Sequence, residues 1–387
     1  MNELTVQERE RAYDRLHGIH AAPDDEEQRV QEALVQMQVE IDKIQEKPAY
    51  DDAVRRGSTY IFEQKFRKRF LWAEYLDPHK AAIRMVKFLQ YSSEVYGPEV
   101  LLRRIRYTDL PPGAVSYFKS GSGMVLPARD TSGRRVLCIA KDCISTIDRY
   151  YFWQEILDDE EEQKRGVVLV VCLFNVVQNA NDLLEKDLVE KLMNSVPGRF
   201  TAMHFLLPDR PLYHCIKATY ALLFGKRNRN HMRMHVGSTT EILYSLKTFG
   251  IPVDFLPQNL KRDCQQTLRR HIKWVDQLEA RDQARENGHD FEKNPVYACP
   301  NSKDILLGKG RRIMKHPGNK DLRLLLEVKT HRWEPASNQD KGKLARELVR
   351  EIRASGGRFL REEENGWFVE VDEDTARQKV SIGFRDT

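Results

Sequence analysis

The chain has 387 residues, 41% hydrophobic and 31% charged, which is the composition of a folded protein with a heavily charged surface rather than of a disordered one. Its 63 basic and 58 acidic residues leave a net charge of +5, too small to mark the whole molecule as a polyanion binder. No run approaches the roughly 18 apolar residues of a membrane span, the start MNELTVQERERAYDRL lacks a signal-peptide core, and six cysteines without a CxxC pair argue against a zinc ribbon or a secreted disulfide framework. A cytoplasmic location is expected, with peripheral membrane contact and the nucleus left open.

Residues 1–55 read as a polar N-terminal extension. In it Val30, Leu34, Met37, Ile41 and Ile44, at three-and-four spacing behind an acidic start, predict one amphipathic helix. Residues 56–109 read as a helical lobe, with STYIFEQKFRKRFLWAEYL as one helix. After Asp77-Pro78 comes HKAAIRMVKFLQYSSEVYG as the next, Pro78 suiting its first turn, where the missing N–H costs nothing.

From 110 to 262 short apolar strands alternate with helices. RRVLCIA predicts a strand, and STIDRYYFWQEILDDEEEQ a helix capped by Ser145 or Thr146. GVVLVVCLFNV has no polar alternation and predicts a central strand buried on both faces. Helix ANDLLEKDLVEKLMNSV, strand FTAMHFLLP, helix PLYHCIKATYALLFG, strand HMRMHVG and helix TTEILYSLKTFG follow. That order predicts an α/β fold with a mixed, mainly parallel sheet flanked by helices. Residues 263–296 read as an exposed charged helix passing into a linker. Residues 297–387 read as a small separate α+β domain with a glycine-rich basic entry, two helices, a β-hairpin around Asn365-Gly366 and a terminal helix.

Three chemistries were weighed on these elements. The entry segment DILLGKGRRIMKHPGNKDL crowds glycines and cations, but Gly318-Asn319-Lys320-Asp321 lacks both the spacing and the hydroxyl of a phosphate-binding Walker loop. Its glycines serve turns, Asn319 is placed to cap the following helix, and Lys309, Arg311, Arg312, Lys315 and Lys320, with Arg358, are candidate anion contacts. A catalytic reading has little to stand on: there is no GxSxG elbow and no HExxH motif. His231 and His235 lie four apart in a strand, about 13 Å at roughly 3.3 Å per residue, too far to share a metal. No enzyme activity, cofactor or metal is expected.

The region 56–262 resembles the CRAL-TRIO lipid-binding family. The likeness lies in Phe66, Arg69, Phe70, Leu71, Ala73, Leu76, Asp77, Lys80 and Ala81 of the helical lobe, then in DTSGRRVLCIA, GVVLVVCLFNV, FTAMHFLLPDRPL, HMRMHVGSTTEIL and FGIPVDFLP. Arg135 stands where that family usually has Pro. The resemblance implies an apolar pocket, floored by the sheet and closed by a movable helix, that binds a lipid or other hydrophobic small molecule and transfers or presents it between membranes. The pocket residues it suggests are Val170, Cys172, Phe174, Met203, Phe205, Tyr220 and Phe224, with Lys226, Arg227, Arg229 and Arg233 meeting an anionic headgroup or transient membrane surface. Phosphoinositide-binding members carry a Glu and a Lys where this chain has Gly198 and Met232, with Arg199 and Arg233 alongside, so phosphoinositide specificity is not expected.

The last ninety residues are similar to a domain of unknown function that abounds in diatom proteins. Asp304, Gly308, Gly310, the His316-Pro317-Gly318-Asn319 run, Gly357, Arg358, Phe359, Leu360, Trp367, Ala376, Arg377 and Lys379 carry that likeness, with Lys309 in place of Arg. The likeness implies no chemistry. The alternative to lipid binding is a nucleic-acid-associated regulator that acts through the cations of this domain, and a protein partner is open to it as well.

Overall fold

The computed structural model describes residues 5, 27–139, 150–158, 160–173, 191, 193–211, 213–214, 231–256, 265–288, 299–363 and 367–386. The chain divides into two compact units, Met1–Leu126 with Asp130–Asn287 and Pro127–Arg129 with Gly288–Thr387.

In the first unit, α1 (Glu27–Lys43) buries Val30, Ala33, Leu34, Met37 and Ile41, but Ile44 falls past its end. A second helix, α2 (Pro48–Arg55), then starts at a proline, so the extension is broken where Pro48 lacks the N–H that a continuing helix needs. The long helix expected over 58–76 is likewise divided, into a 3₁₀ turn (Tyr60–Phe62) and α3 (Gln64–Ala73). Asp77 then caps α4 (Pro78–Tyr96) by accepting from the Lys80 N–H at 3.1 Å, with Pro78 in the first turn as expected. Phe66, Phe70, Phe88 and Tyr150 form a chain of edge-on rings with centroids 5.2–5.6 Å apart, a geometry that adds to the apolar burial of α3 against α4.

After α5 (Pro112–Ser120) comes a sheet of five strands in spatial order β1 (Gly123–Arg129), β2 (Arg135–Ile139), β3 (Val167–Cys172), β4 (Phe200–Leu207) and β5 (Met232–Val236). The pairs β2/β3, β3/β4 and β4/β5 are parallel. Only residues 130–134 join β1 to β2, with the Asp130 N–H donating to Arg134 O at 3.0 Å; so short a connection makes this pair a hairpin and the sheet mixed. The central strand, β3, is buried at all six positions. Neither α5 nor β1 was anticipated. Pro127 obscures β1 as a strand, and it is tolerated because β1 lies at the sheet edge, where one side needs no ladder donors.

The helix expected over 145–163 is two pieces, α6 (Tyr150–Ile156) and α7 (Glu160–Arg165); its proposed caps Ser145 and Thr146 lie outside the described residues. The helix α8 (Thr239–Thr248) opens on a reciprocal capping box between Ser238 and Glu241. The helix α9 (Gln265–Glu286), expected to be exposed, instead buries Trp274, Val275 and Leu278. Its Asp282 is 2% exposed and accepts from the Tyr107 N–H and the Tyr151 hydroxyl, and its Arg281 pairs with Glu155, which also pairs with Arg104. Burial pushes the Glu155 carboxyl up, but the two guanidinium groups outweigh it and hold it at about 2. Charges that read as a solvated face are therefore an internal paired network, stable only because each burial is matched by a partner.

In the second unit a three-stranded sheet runs β6 (Ile305–Leu307), β7 (Phe359–Glu362), β8 (Phe368–Glu370), β6 parallel and β8 antiparallel to β7. The β7/β8 register, Leu360 opposite Glu370 and Glu362 opposite Phe368, is that of the expected hairpin, whose turn lies outside the described residues. The helices are α10 (Arg311–Lys315), α11 (Pro317–Trp333), α12 (Asn338–Ala354) and α13 (Glu373–Asp386). Their core gathers Leu326, Leu348, Phe359, Val380 and Phe384, with Trp333 stacked on Phe384 at 4.2 Å. Among the described residues no helix is long and apolar enough to cross a membrane.

Candidate functional site

Side chains alternate across a strand, and in-register neighbours in a parallel sheet share a face. Val170 and Cys172 pair with His204 and Leu206, whereas Met203 and Phe205 pair with Leu169 and Val171. The four described members of the expected lipid pocket are thus split between opposite faces of the sheet, because side chains alternate along each strand. Val170 and Cys172 belong to a buried apolar cluster with Ile242 and Leu246 of α8 and with Ile251, Val253 and Leu256. Phe174, Tyr220 and Phe224 lie outside the described residues, as do Lys226, Arg227 and Arg229.

His204 and His235 share that face, with His204 Nδ1 2.9 Å from His235 Nε2 and His235 Nδ1 2.8 Å from Ser245 Oγ. Phe249 meets both rings edge-on. Burial, and then the charge of Arg233, lower His235 to about 4, so His235 is neutral near pH 7. Arg233 stands beside this pair, on the face set by its register with His204, and is pushed down from its ordinary value by burial. Among the described residues no group of three metal-ligating side chains occurs.

A different constellation lies at the N-terminal edge of the parallel strands, opposite the carboxyl edge where open α/β sheets most often bind ligands. Gly198, Arg199 and Phe200 at the start of β4, His231 just before β5, Met193 and Asn194, and Ala73, Tyr75 and Arg84 from the helical lobe enclose an open cleft of about 60 Å³. Its two arginines differ. Arg84 donates from Nε to Glu74 Oε1 at 2.6 Å and from Nη1 to the carbonyls of Met193 and Val196 at 2.9 and 2.8 Å, so its charge is matched. Arg199 is 6% exposed, no carboxylate pairs with it among the described residues, and its Nε and Nη1 have no hydrogen-bond partner. Its guanidinium carbon sits 4.5 Å from the centre of the Tyr75 ring. Burial lowers the Arg199 pKa, and contact with Tyr75 offsets this in part.

A buried cation without a counter-ion is unfavourable by several kcal/mol unless something else supplies the charge. An arrangement of unpaired N–H donors facing a cleft is fit to hold an anion. Ala73, Met193 and Phe200 add apolar walls, and Phe200 is fixed edge-on against Trp153 at 4.6 Å. A Cβ at Gly198 would meet Leu157 Cδ1, so glycine lets the entry to β4 pass close to that side chain. The sequence reading met Gly198 and Arg199 only as departures from the pattern of phosphoinositide binders. It missed Tyr75, Arg84, Asn194 and His231, which come from separate segments and share no spacing signal.

In the second unit the cations divide. Arg358 donates from Nη2 to Asp304 Oδ2 at 2.7 Å and from Nε to Oδ1 at 3.2 Å, while its backbone N–H also reaches Oδ1 at 3.0 Å. Asp304 is fully buried and accepts from the Asn301 N–H as well. Burial pulls the Arg358 pKa down, but Asp304 raises it above its ordinary value, so Arg358 is a structural cation rather than the anion contact expected. Asn319 does not cap α11, since His316 is the cap residue. Its amide instead accepts from the Leu306 N–H at 2.7 Å and donates to Leu306 O at 2.8 Å, tying α11 to β6 as a ladder partner would. Gly318 permits this, because a Cβ there would strike Asp304 O. Lys309, Lys315 and Lys320 are exposed, and Arg311 and Arg312 lie in α10.

The second unit is thus a small α/β domain whose buried polar residues are spent on its own architecture. Residues 304–386 match the family described as a domain of unknown function, DUF6824. The same comparison returns no CRAL-TRIO family for the rest of the chain, and no curated protein matches it.

Proposed function

We propose that the larger unit binds a hydrophobic small molecule or lipid that carries an anionic group, and that this group sits in the Arg199 cleft. The observation that carries the reading is Arg199 itself, buried with no carboxylate partner among the described residues and with two unpaired guanidinium nitrogens, on the lining of a cleft that also has apolar walls. The sheet, with its central strand buried on both faces, supports the reading as a rigid frame for the cleft. So does the sequence resemblance to lipid-binding proteins.

The test is uptake of fluorescent phosphatidate from vesicles by the whole chain, followed by mass spectrometry of the recovered protein. Wild-type protein carries the acidic lipid, and Arg199→Met does not. A wild-type protein that stays empty in both assays sinks the proposal.

A further inference from the structure

The helix α3 ends in a closure usually made with glycine. The Leu76 N–H donates to Leu71 O at 2.8 Å and the Tyr75 N–H to Trp72 O at 3.5 Å, the bonding pattern of a helix end whose penultimate residue takes a left-handed conformation. Here that residue is Tyr75, at φ +56°, and Leu76 follows at +61°. Two consecutive non-glycine residues in this region are strained, and such strain persists where the surroundings enforce it for a purpose. Core packing does not explain Tyr75, which is 43% exposed. What the turn accomplishes is the placement of its ring against Arg199, whose guanidinium carbon lies 4.5 Å from the ring centre.

We infer that Tyr75 is the specificity-determining residue of the Arg199 cleft, its ring packed against the guanidinium so that flat and uncharged groups are kept from it, and thereby selecting a compact oxyanion of the phosphate or carboxylate kind. This rests on the anion-binding reading above. An in-plane guanidinium edge matches a pair of oxyanion oxygens, whereas a bare guanidinium face accepts flat and uncharged groups. The size of the cleft agrees: about 60 Å³, at roughly 10–15 Å³ for each water-sized group, seats about four to six heavy atoms, the size of one phosphate. Arg84 cannot take over, because Glu74 and two carbonyls already occupy its donors.

The experiment titrates inorganic phosphate into the full chain and its variants Tyr75→Phe, Tyr75→Gly and Arg199→Met, reading affinity by calorimetry and folding by melting temperature. Tyr75→Phe keeps the ring and binds within about threefold of wild type; Tyr75→Gly binds about tenfold more weakly while melting no lower, because glycine adopts the turn freely. With vesicles, the wild type prefers phosphatidate to phosphatidylcholine, and Tyr75→Gly loses that preference. Wild-type affinity in Tyr75→Gly beside a silent Arg199→Met overturns the role of Tyr75 and leaves the anion site standing. Wild-type affinity in Arg199→Met removes the anion site itself.

Discussion

Arg199 in the larger unit is a buried arginine and Arg358 in the smaller a half-buried one, and they are treated in opposite ways. Arg358 meets the fully buried Asp304 through two side-chain bonds, and its pKa rises. Arg199 meets an aromatic ring and a cleft, and its pKa falls. A paired cation of the first kind is architecture, because its charge is satisfied before any ligand arrives. An unpaired one of the second kind leaves donors for a ligand, at the expense of the empty protein's stability.

The comparison can be broken most severely at Asp304. Asp304→Ala leaves the half-buried Arg358 without its carboxylate and strips the Asn301 and Arg358 N–H groups of their acceptor, a loss of about 3–5 kcal/mol from the two unsatisfied donors and the broken pair together. Urea unfolding of the full chain should show the smaller unit melting early; an unshifted transition would mean that Asp304 does not hold the unit together.

Acid sharpens the same contrast, since histidines can shed the charge that Arg199 must keep. Burial lowers His271 to about 4, as it does His235, against an ordinary value of 6.5. The unfolded chain therefore takes up protons first. The histidine contribution is full above about pH 6.5 and is lost as the pH drops toward 4, each ring accounting for roughly 3 kcal/mol, and below that the depressed carboxyl of Glu155 takes over the loss. Denaturation midpoints measured between pH 7 and pH 4 should follow this slope in wild type, and the slope should be shallower in His235→Asn; an equal slope in both removes His235 from the account.

Asn319→Ala leaves the buried N–H and carbonyl of Leu306 without partners and should destabilise the smaller unit by about 2–3 kcal/mol, whereas loss of a mere helix cap costs about 1 kcal/mol. A loss below that smaller figure, measured by urea unfolding, would contradict the ladder role. Smallest is the strain at Tyr75. Replacing it with glycine should raise stability by about 1 kcal/mol, through a turn that no longer forces a side chain to positive φ.

Much of the frame was legible in the sequence. The unbroken apolar run of β3, the Asp77-Pro78 helix start, the helix over TTEILYSLKTFG and the alternation around β7 and β8 are local signals, and each appears where its pattern predicts. The glycine-rich entry segment was harder to read, since Ile305–Leu307 become a strand only by pairing with Phe359–Arg361, more than fifty residues on. The α9 helix reads as solvated because pairing partners such as Tyr107, Tyr151 and Glu155 cannot be seen in its own sequence. The cleft was the least legible feature. Tyr75, Arg84, Arg199 and His231 lie in four segments, and what marks the place is that no carboxylate among the described residues pairs with Arg199, a property of three-dimensional arrangement.

The most direct test of that mark is Arg199→Met, measured for both stability and ligand retention in the same preparation. Methionine fills the volume without a charge, so the account predicts a ligand-free protein that unfolds at higher urea than wild type and no longer carries acidic lipid. A variant that is less stable than wild type and retains the lipid equally well would contradict it.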